Sequence, residues 1–313
     1  MKMSVNKKVL EKVGVILFIA VFVFPVLSFA GDEKIYVDYK AKGEDQDGSS
    51  KYPYSTISKA ISHADDDTEI HIREGVYKEN IDIPKGVEIY GSNKDEVIIE
   101  ADDDDNPVVK MNHKTKINKV TIKGGEYGIT VGKNDRASII ECSIEDNEED
   151  GIIIREGETN DDHMVSISES EIKDNGKSGI YSEERRLSIV DNKINNNEND
   201  GIDLEDNVEA WIDDNDIKDN DGSGMKFTLD DSEIWTKNNT IRDNEREGIE
   251  VNAYGKPGRI DINKSKLYQN DNYGIARVQR GSFSSDGWSG FTVQDDNIFW
   301  ENVKGGLSHI IKI

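Results

Sequence analysis

Apolar residues recur along this chain in short pairs two apart, each closed off by a polar turn. Leu187 and Ile189 form one such pair, and Ile260 and Ile262 another. Residues two apart share one face of a strand, so these pairs predict strands with one face turned inward. Between the pairs runs a repeated phrase: "IKDNGKSGIYS" at 172–182, "INNNENDGIDL" at 194–204, "IKDNDGSGMKF" at 217–227 and "IRDNEREGIEV" at 241–251. Its asparagines are Asn147, Asn175, Asn197, Asn220, Asn244, Asn270 and Asn302, spaced 22 to 32 residues apart. Four residues after each comes a glycine, from Gly151 and Gly179 through to Gly274 and Gly306.

A constant inner spacing with a variable outer one marks a solenoid whose insertions collect at one turn. Three residues before the Asn stand Ile144, Ile172, Ile194, Ile217, Ile241, Leu267 and Phe299; five after it stand Ile152, Ile180, Ile202, Met225, Ile249, Ile275 and Leu307. Each repeat of roughly 23 residues therefore holds three short strands, too few residues for a strand–helix–strand crossover of about 30. The pattern predicts an all-β protein, a parallel β-helix in which each repeat is one coil, and each strand pairs with its equivalent about 4.8 Å away. Stacking would set the Asn amides in a hydrogen-bonded ladder, and both Asn and Gly suit the left-handed conformation of tight turns. A second small polar column lies five before the Asn: Cys142, Ser170, Asn192, Asn215, Asn239, Ser265 and Asn297. Cys142 is accordingly read as a buried turn residue, not a nucleophile.

The N-terminal region divides into three parts. Residues 1–30 have a lysine-bearing start, an apolar run from Val13 to Leu27 and a small-x-small ending at Ser28–Ala30, the pattern of an export signal. Residues 31–67 hold a strand and then "YSTISKAISHA" at 54–64, whose Ile57, Ala60, Ile61 and Ala64 have helical spacing, with Ser55 or Thr56 as N-cap. A short helix there would cover the open edge of the first coil. Residues 68–313 continue as coils, less regular at 68–131, and "SHIIKI" reads as a closing strand.

The chain carries a net charge of −25, and −28 without the first thirty residues, which hold four Lys and one Glu. That balance opposes nucleic acid, anionic lipid and, without a bridging cation, anionic polysaccharide. A single cysteine permits no internal disulfide. The mature chain has no other stretch able to span a membrane, and it is expected to be secreted, periplasmic or at the cell surface.

"IYVDYKAKGEDQDGSSKYPYSTISKAI" at 35–61 and "EIHIREGVYKENIDIPKGVEIYGS" at 69–92 resemble the opening of secreted pectin-lyase-like proteins, and the Asn-x-x-x-Gly-Ile phrases resemble that superfamily's parallel β-helix repeats. The resemblance implies a right-handed, single-stranded parallel β-helix with three strands per coil and a short N-terminal capping helix. It leaves activity open, since the scaffold hosts lyases, hydrolases, epimerases, binding proteins and adhesins. The motifs of those enzymes are not matched. "WIDD" at 211–214 has Asp214 where pectate lyases carry His, "YGKPGR" at 254–259 has Gly255 where they carry Arg, and no Gly-His pair occurs.

Candidate ligand-binding residues follow from the outward positions. Trp211 and Trp235 occupy equivalent places in adjacent coils and would offer an aromatic platform to a sugar ring. Tyr181, Asp203, Lys226 and Glu250 line another outward column. Insertions at 155–165 and 277–291, with a smaller one at 254–258, enter at one turn and bring His163, Arg277, Arg280 and Trp288 to one side. Arg277 and His309 stand in a column otherwise held by Ile154, Leu204, Phe227 and Val251, as where a core frays. An acidic column, Asp146, Asp174, Asp219, Asp243 and Glu301, would repel itself along the stack. No cofactor is expected, and calcium is the one ion this column or "ADDDDNP" at 101–107 would accept. The expectation is a β-helix protein that binds extracellular polysaccharide, with no recognised catalytic motif. The alternatives are a polysaccharide lyase, hydrolase or epimerase with an atypical, calcium-dependent site, and a structural or adhesive surface module.

Overall fold

A computed structural model describes residues 34–281, 283 and 285–313; the export-signal reading of residues 1–30 lies outside them. Three parallel sheets run the length of a solenoid. The first has eleven strands, from Lys34–Val37 to Phe291–Val293; the second has ten, from Gly75–Lys78 to Ile298–Trp300; the third has ten, from Ile81–Ile83 to Gly305–Lys312. One circuit runs from Arg186–Val190 in the first sheet, through Lys193–Asn195 in the second, to Ile202–Glu205 in the third. Every pairing is parallel and joins a strand to its equivalent one coil along: Ile172 to Ile194 to Ile217 to Ile241, and Ile180 to Ile202 to Met225 to Ile249. These inward residues are fully buried, so the core is a stack of like on like.

Two asparagine ladders line the turns. In the first, each Nδ2 donates to the Oδ1 of the next coil, at 2.9 Å from Asn147 through Asn244 and 2.8 Å from Asn270 to Asn302. In the second, Asn192 donates to Asn215 and Asn215 to Asn239, both at 3.0 Å. Cys142 sits in this second ladder, fully buried, its thiol pushed up to about 11 by burial.

The turns depart from expectation in one respect. Neither the ladder asparagines nor the repeat glycines are left-handed. That conformation falls on the residue just before each ladder Asn: Asp146, Asp174, Asn196, Asp219, Asp243, Gln269 and Glu301 have φ between +53° and +56°. The acidic column is thus a column of turn residues, where Asp and Asn tolerate positive φ better than most side chains. Asp174, Asp219 and Asp243 lie 3.6, 2.8 and 2.8 Å from the cation immediately before them, Lys173, Lys218 and Arg242, which offsets part of their mutual repulsion. The repeat glycines answer a different need. A Cβ at Gly201 would stand 2.6 Å from the Gly224 carbonyl and 2.7 Å from Ile217 Cγ2. Close stacking of coils, not backbone freedom, requires them.

The helix spans Ile57–Ile61, capped by Thr56, whose hydroxyl accepts from the Lys59 amide at 3.2 Å. It stops short of Ala64, at a turn through Asp65–Asp67 where Asp67 has φ +68°. Ile57 and Ala60 enter the core, and Glu79 accepts from the amides of Ile57 and Ser58, both at 2.8 Å. The insertions at 155–164, 254–258 and 280–290 all connect the third sheet to the first.

Candidate functional site

The outer face of the third sheet carries the column Thr130, Ile153, Tyr181, Asp203, Lys226, Glu250 and Ala276, one residue per coil in direct register. Outward positions on a sheet are ordinarily solvated. Here Asp203 is 4% exposed and Glu250 5%, so this is not the open polar face expected of it. The turn from the second sheet to the third walls one side with Asp200 and Glu247, both buried.

Lys226 is the hub. Its Nζ lies 2.8 Å from Asp203 Oδ2, 3.2 Å from Glu205 Oε1 and 4.0 Å from Asp200 Oδ2. Asp200 Oδ1 accepts from the Ser223 amide at 2.7 Å. One coil on, Glu250 Oε1 accepts from Asn252 Nδ2 at 2.7 Å, and Asn252 Oδ1 accepts from Arg280 Nε at 3.0 Å. Tyr181 OH donates to Glu183 Oε2 at 3.4 Å. Asp203 Oδ1 is buried with no hydrogen-bond partner.

Three carboxylates around one ammonium leave an acid surplus, and the titrations reflect it. Burial pushes Asp203 up to about 7, against the pull of Lys226. Burial also raises Asp200, and it raises Glu247 with help from Glu250. At Lys226 burial works the other way, but attraction from Asp203, Asp200 and Glu205 overcomes it and holds the ammonium above its ordinary range. Burial, with Glu205, Glu183 and Asp203 nearby, raises Tyr181.

The other candidates lie elsewhere. Trp211 and Trp235 are on the first sheet, stacked with centroids 5.2 Å apart and planes 13° apart. The Arg186 guanidinium lies over Trp211 at 4.9 Å and that of Arg259 over Trp235 at 5.8 Å. Both outer faces are therefore covered by cations, and the pair shows its edges, not the open ring face a sugar platform needs. Trp288 is 8% exposed, in the short 3-10 helix Ser285–Gly290, packed edge-on against Phe283 and Phe291. It plugs the last coils and is not a free contact residue, because the apolar cluster there claims its surface. Arg277 sits at a register shift, its amide donating to Ser308 Oγ at 2.9 Å, while His309 is exposed. His163 packs edge-on to His113. Asp103, Asp104 and Asp105 bring carboxylates within 4.8 Å of one another, all exposed.

Of the residues proposed from sequence, Tyr181, Asp203, Lys226, Glu250 and Arg280 thus belong to one connected strip. Asp200, Glu205, Glu247 and Asn252 join them without having been singled out. Their signal was present three and eight residues after the Asn marks, but the columns mix residue types and show no common chemistry.

Residues 127–298, more than half of the chain, match the family described as the right handed beta helix region, and the chain belongs to that family. Solved structures share the fold at low identity. A Dettilon tailspike protein is 15% identical with a TM-score of 0.60; the match covers 90% of this chain and spans 62% of the tailspike. An alginate lyase from Paenibacillus sp. is 11% identical with a TM-score of 0.60, covering 82% of this chain and 96% of the lyase. XylC, solved in complex with xylose, is 12% identical with a TM-score of 0.59, covering 83% and 70%. The comparison with curated protein sequences gives no match. No helix among the described residues is long and apolar enough to cross a membrane.

Proposed function

We propose that the protein binds a polysaccharide along the outer face of the third sheet, outside the cytoplasm. The observation that carries this reading is Asp203: a carboxylate on an outward strand position, nearly removed from water, with one oxygen bonded to Lys226 and the other unpartnered. A buried acceptor without a donor is costly alone and is relieved by a ligand that brings donors. A chain of sugar hydroxyls lying along the column would supply them coil by coil. Structural neighbours named for xylose and alginate support a carbohydrate partner, and the leader pattern at 1–30 supports export. The regularity of the coils through the strip favours binding over catalysis, since catalytic sites commonly break the local pattern.

A second reading rests on the same residue. A carboxyl near 7 beside an ammonium has the proton affinity of a general acid or base. A glycan array followed by a depolymerisation assay, with and without calcium, separates the two. Binding lost in Lys226→Ala and Asp203→Ala, with no chain cleavage, is the expected result. Release of unsaturated ends would make the protein a lyase, and absence of binding to every glycan would leave a structural or adhesive module.

A further inference from the structure

We infer that two copies of this chain dock end to end through their last strands, about a two-fold axis that pairs Gly305–Lys312 of each copy antiparallel. The contact is separate from the strip on the third sheet and does not depend on what that strip binds.

The two ends of the solenoid are finished differently. At the N-terminal end the helix Ile57–Ile61 lies against Lys34–Val37, Glu69–Ile72 and Ile81–Ile83, and Ile57, Ala60, Val37 and Ile83 are fully buried. At the other end the core is open. Ile260, Ile262, Leu267 and Ile275 are fully buried; one coil on, their partners Phe291, Val293 and Phe299 are half-buried, and Leu307 is 44% exposed. Six of the nine large apolar side chains exposed among the described residues lie here: Ile298, Trp300, Val303, Leu307, Ile310 and Ile313. Trp300 stacks on Tyr268 with centroids 3.8 Å apart, and no described strand lies beyond it to cover the other face of its ring. Phe291–Val293, Ile298–Trp300 and Gly305–Lys312 are each the last strand of a sheet, so each has a bare outer edge. An apolar patch of this extent, ringed by strand edges, marks a protein interface.

The partner that fits is a second copy. A coil facing its own copy runs in the opposite sense, so every edge meets an antiparallel strand, which can exchange hydrogen bonds whatever its sequence. With Ser308 opposite His309 of the copy, Leu307 falls opposite Ile310. Both continue inward columns, those of Ile275 and Arg277, so they meet on one face, and the two-fold repeats the pair. Charge agrees with this. Copies of net charge −25 repel over most of their surface, but 302–313 contain Lys304, Lys312 and no carboxylate. Antiparallel pairing brings Lys312 of each copy to the corner that holds the exposed Glu301 of the other. The helix closes the core at the opposite end, so a head-to-tail copy finds no matching apolar face, and association stops at the dimer. Joined this way, the third sheets of the two copies run into one another and set their outer faces in line.

Sedimentation velocity over a concentration series, with small-angle scattering on the same samples, tests this. The expected result is a concentration-dependent dimer about twice as long as the monomer, in which eleven stacked strands span roughly 50 Å. His309→Cys, beside the axis, should form an intermolecular disulfide on oxidation, while Tyr52→Cys, exposed near the capped end, should not. Leu307→Lys with Ile310→Lys should raise the dissociation constant by about tenfold or more. A monomer at concentrations up to about 100 μM overturns the inference. So does a dimer no longer than the monomer, which would be side by side. Crosslinking no stronger through His309→Cys than through Tyr52→Cys, or a dimer indifferent to the paired lysines, overturns it as well. The concentration series and the length use the unaltered protein, so they decide the matter even if a variant does not fold.

Discussion

Lys226 Nζ lies 2.8 Å from Asp203 Oδ2 across adjacent strands of the third sheet, yet burial still holds Asp203 at about 7. A carboxyl raised in the folded state binds a proton there that the unfolded chain has already lost, between about 4 and 7. Its effect is to make stability fall as pH rises through that window. Asp203→Asn removes the titrating group, so the fall should flatten, by on the order of a few kcal/mol across the window. Urea denaturation of both proteins at a series of pH values reads it directly. Identical slopes would mean Asp203 is ionised throughout.

The ladder predicts a graded cost with position. Asn197 is fully buried, accepts from Asn175 and donates to Asn220, both at 2.9 Å. Asn197→Ala strands a donor on one side and an acceptor on the other and should cost about 2–4 kcal/mol. Asn302 ends the ladder, accepting from Asn270 at 2.8 Å and passing no bond to a further ladder Asn, so Asn302→Ala breaks one ladder bond instead of two and should cost about half as much or less. Chemical denaturation midpoints of the two variants give the comparison.

Two substitutions at neighbouring turn positions should differ in sign. Gly201→Ala drives a methyl into the Gly224 carbonyl and should destabilise by about 2 kcal/mol or more. Asp219→Gly relieves a left-handed non-glycine residue, φ +53°, and should be neutral or stabilise by up to about 1 kcal/mol. Thermal melting of both variants decides whether space or backbone conformation governs each column.

Arg185 is a buried pin that no repeat column announces. Its guanidinium donates to the carbonyls of Gly132, Arg155 and His163 at 2.9, 2.9 and 3.0 Å, and to that of Asp135. Burial lowers it to about 10. Arg185→Met should cost about 3 kcal/mol or more by leaving these carbonyls unsatisfied. Arg185→Lys should recover only part, because an ammonium lacks the planar fork. Limited proteolysis within 155–164 should accelerate in both, with Met the faster.

What the sequence determined by itself was the architecture. Stacked coils set each residue above its equivalent, so every structural requirement is written as a column: Ile172 above Ile194, Asn175 above Asn197, Gly179 above Gly201. Periodicity exposes such demands because they recur with the coil. Even there the reason for a column was not legible, since the left-handed turn falls one residue before the Asn and the glycines answer to a carbonyl in the next coil. The candidate site was legible only as scattered positions. Whether an outward side chain is free depends on what closes over it from other coils and turns, a distance and not a pattern. That is why two guanidinium groups cover the Trp211–Trp235 pair, Trp288 turns inward, and the buried Asp203 and Asp200 join the half-buried Glu205 and Lys226 in one cluster.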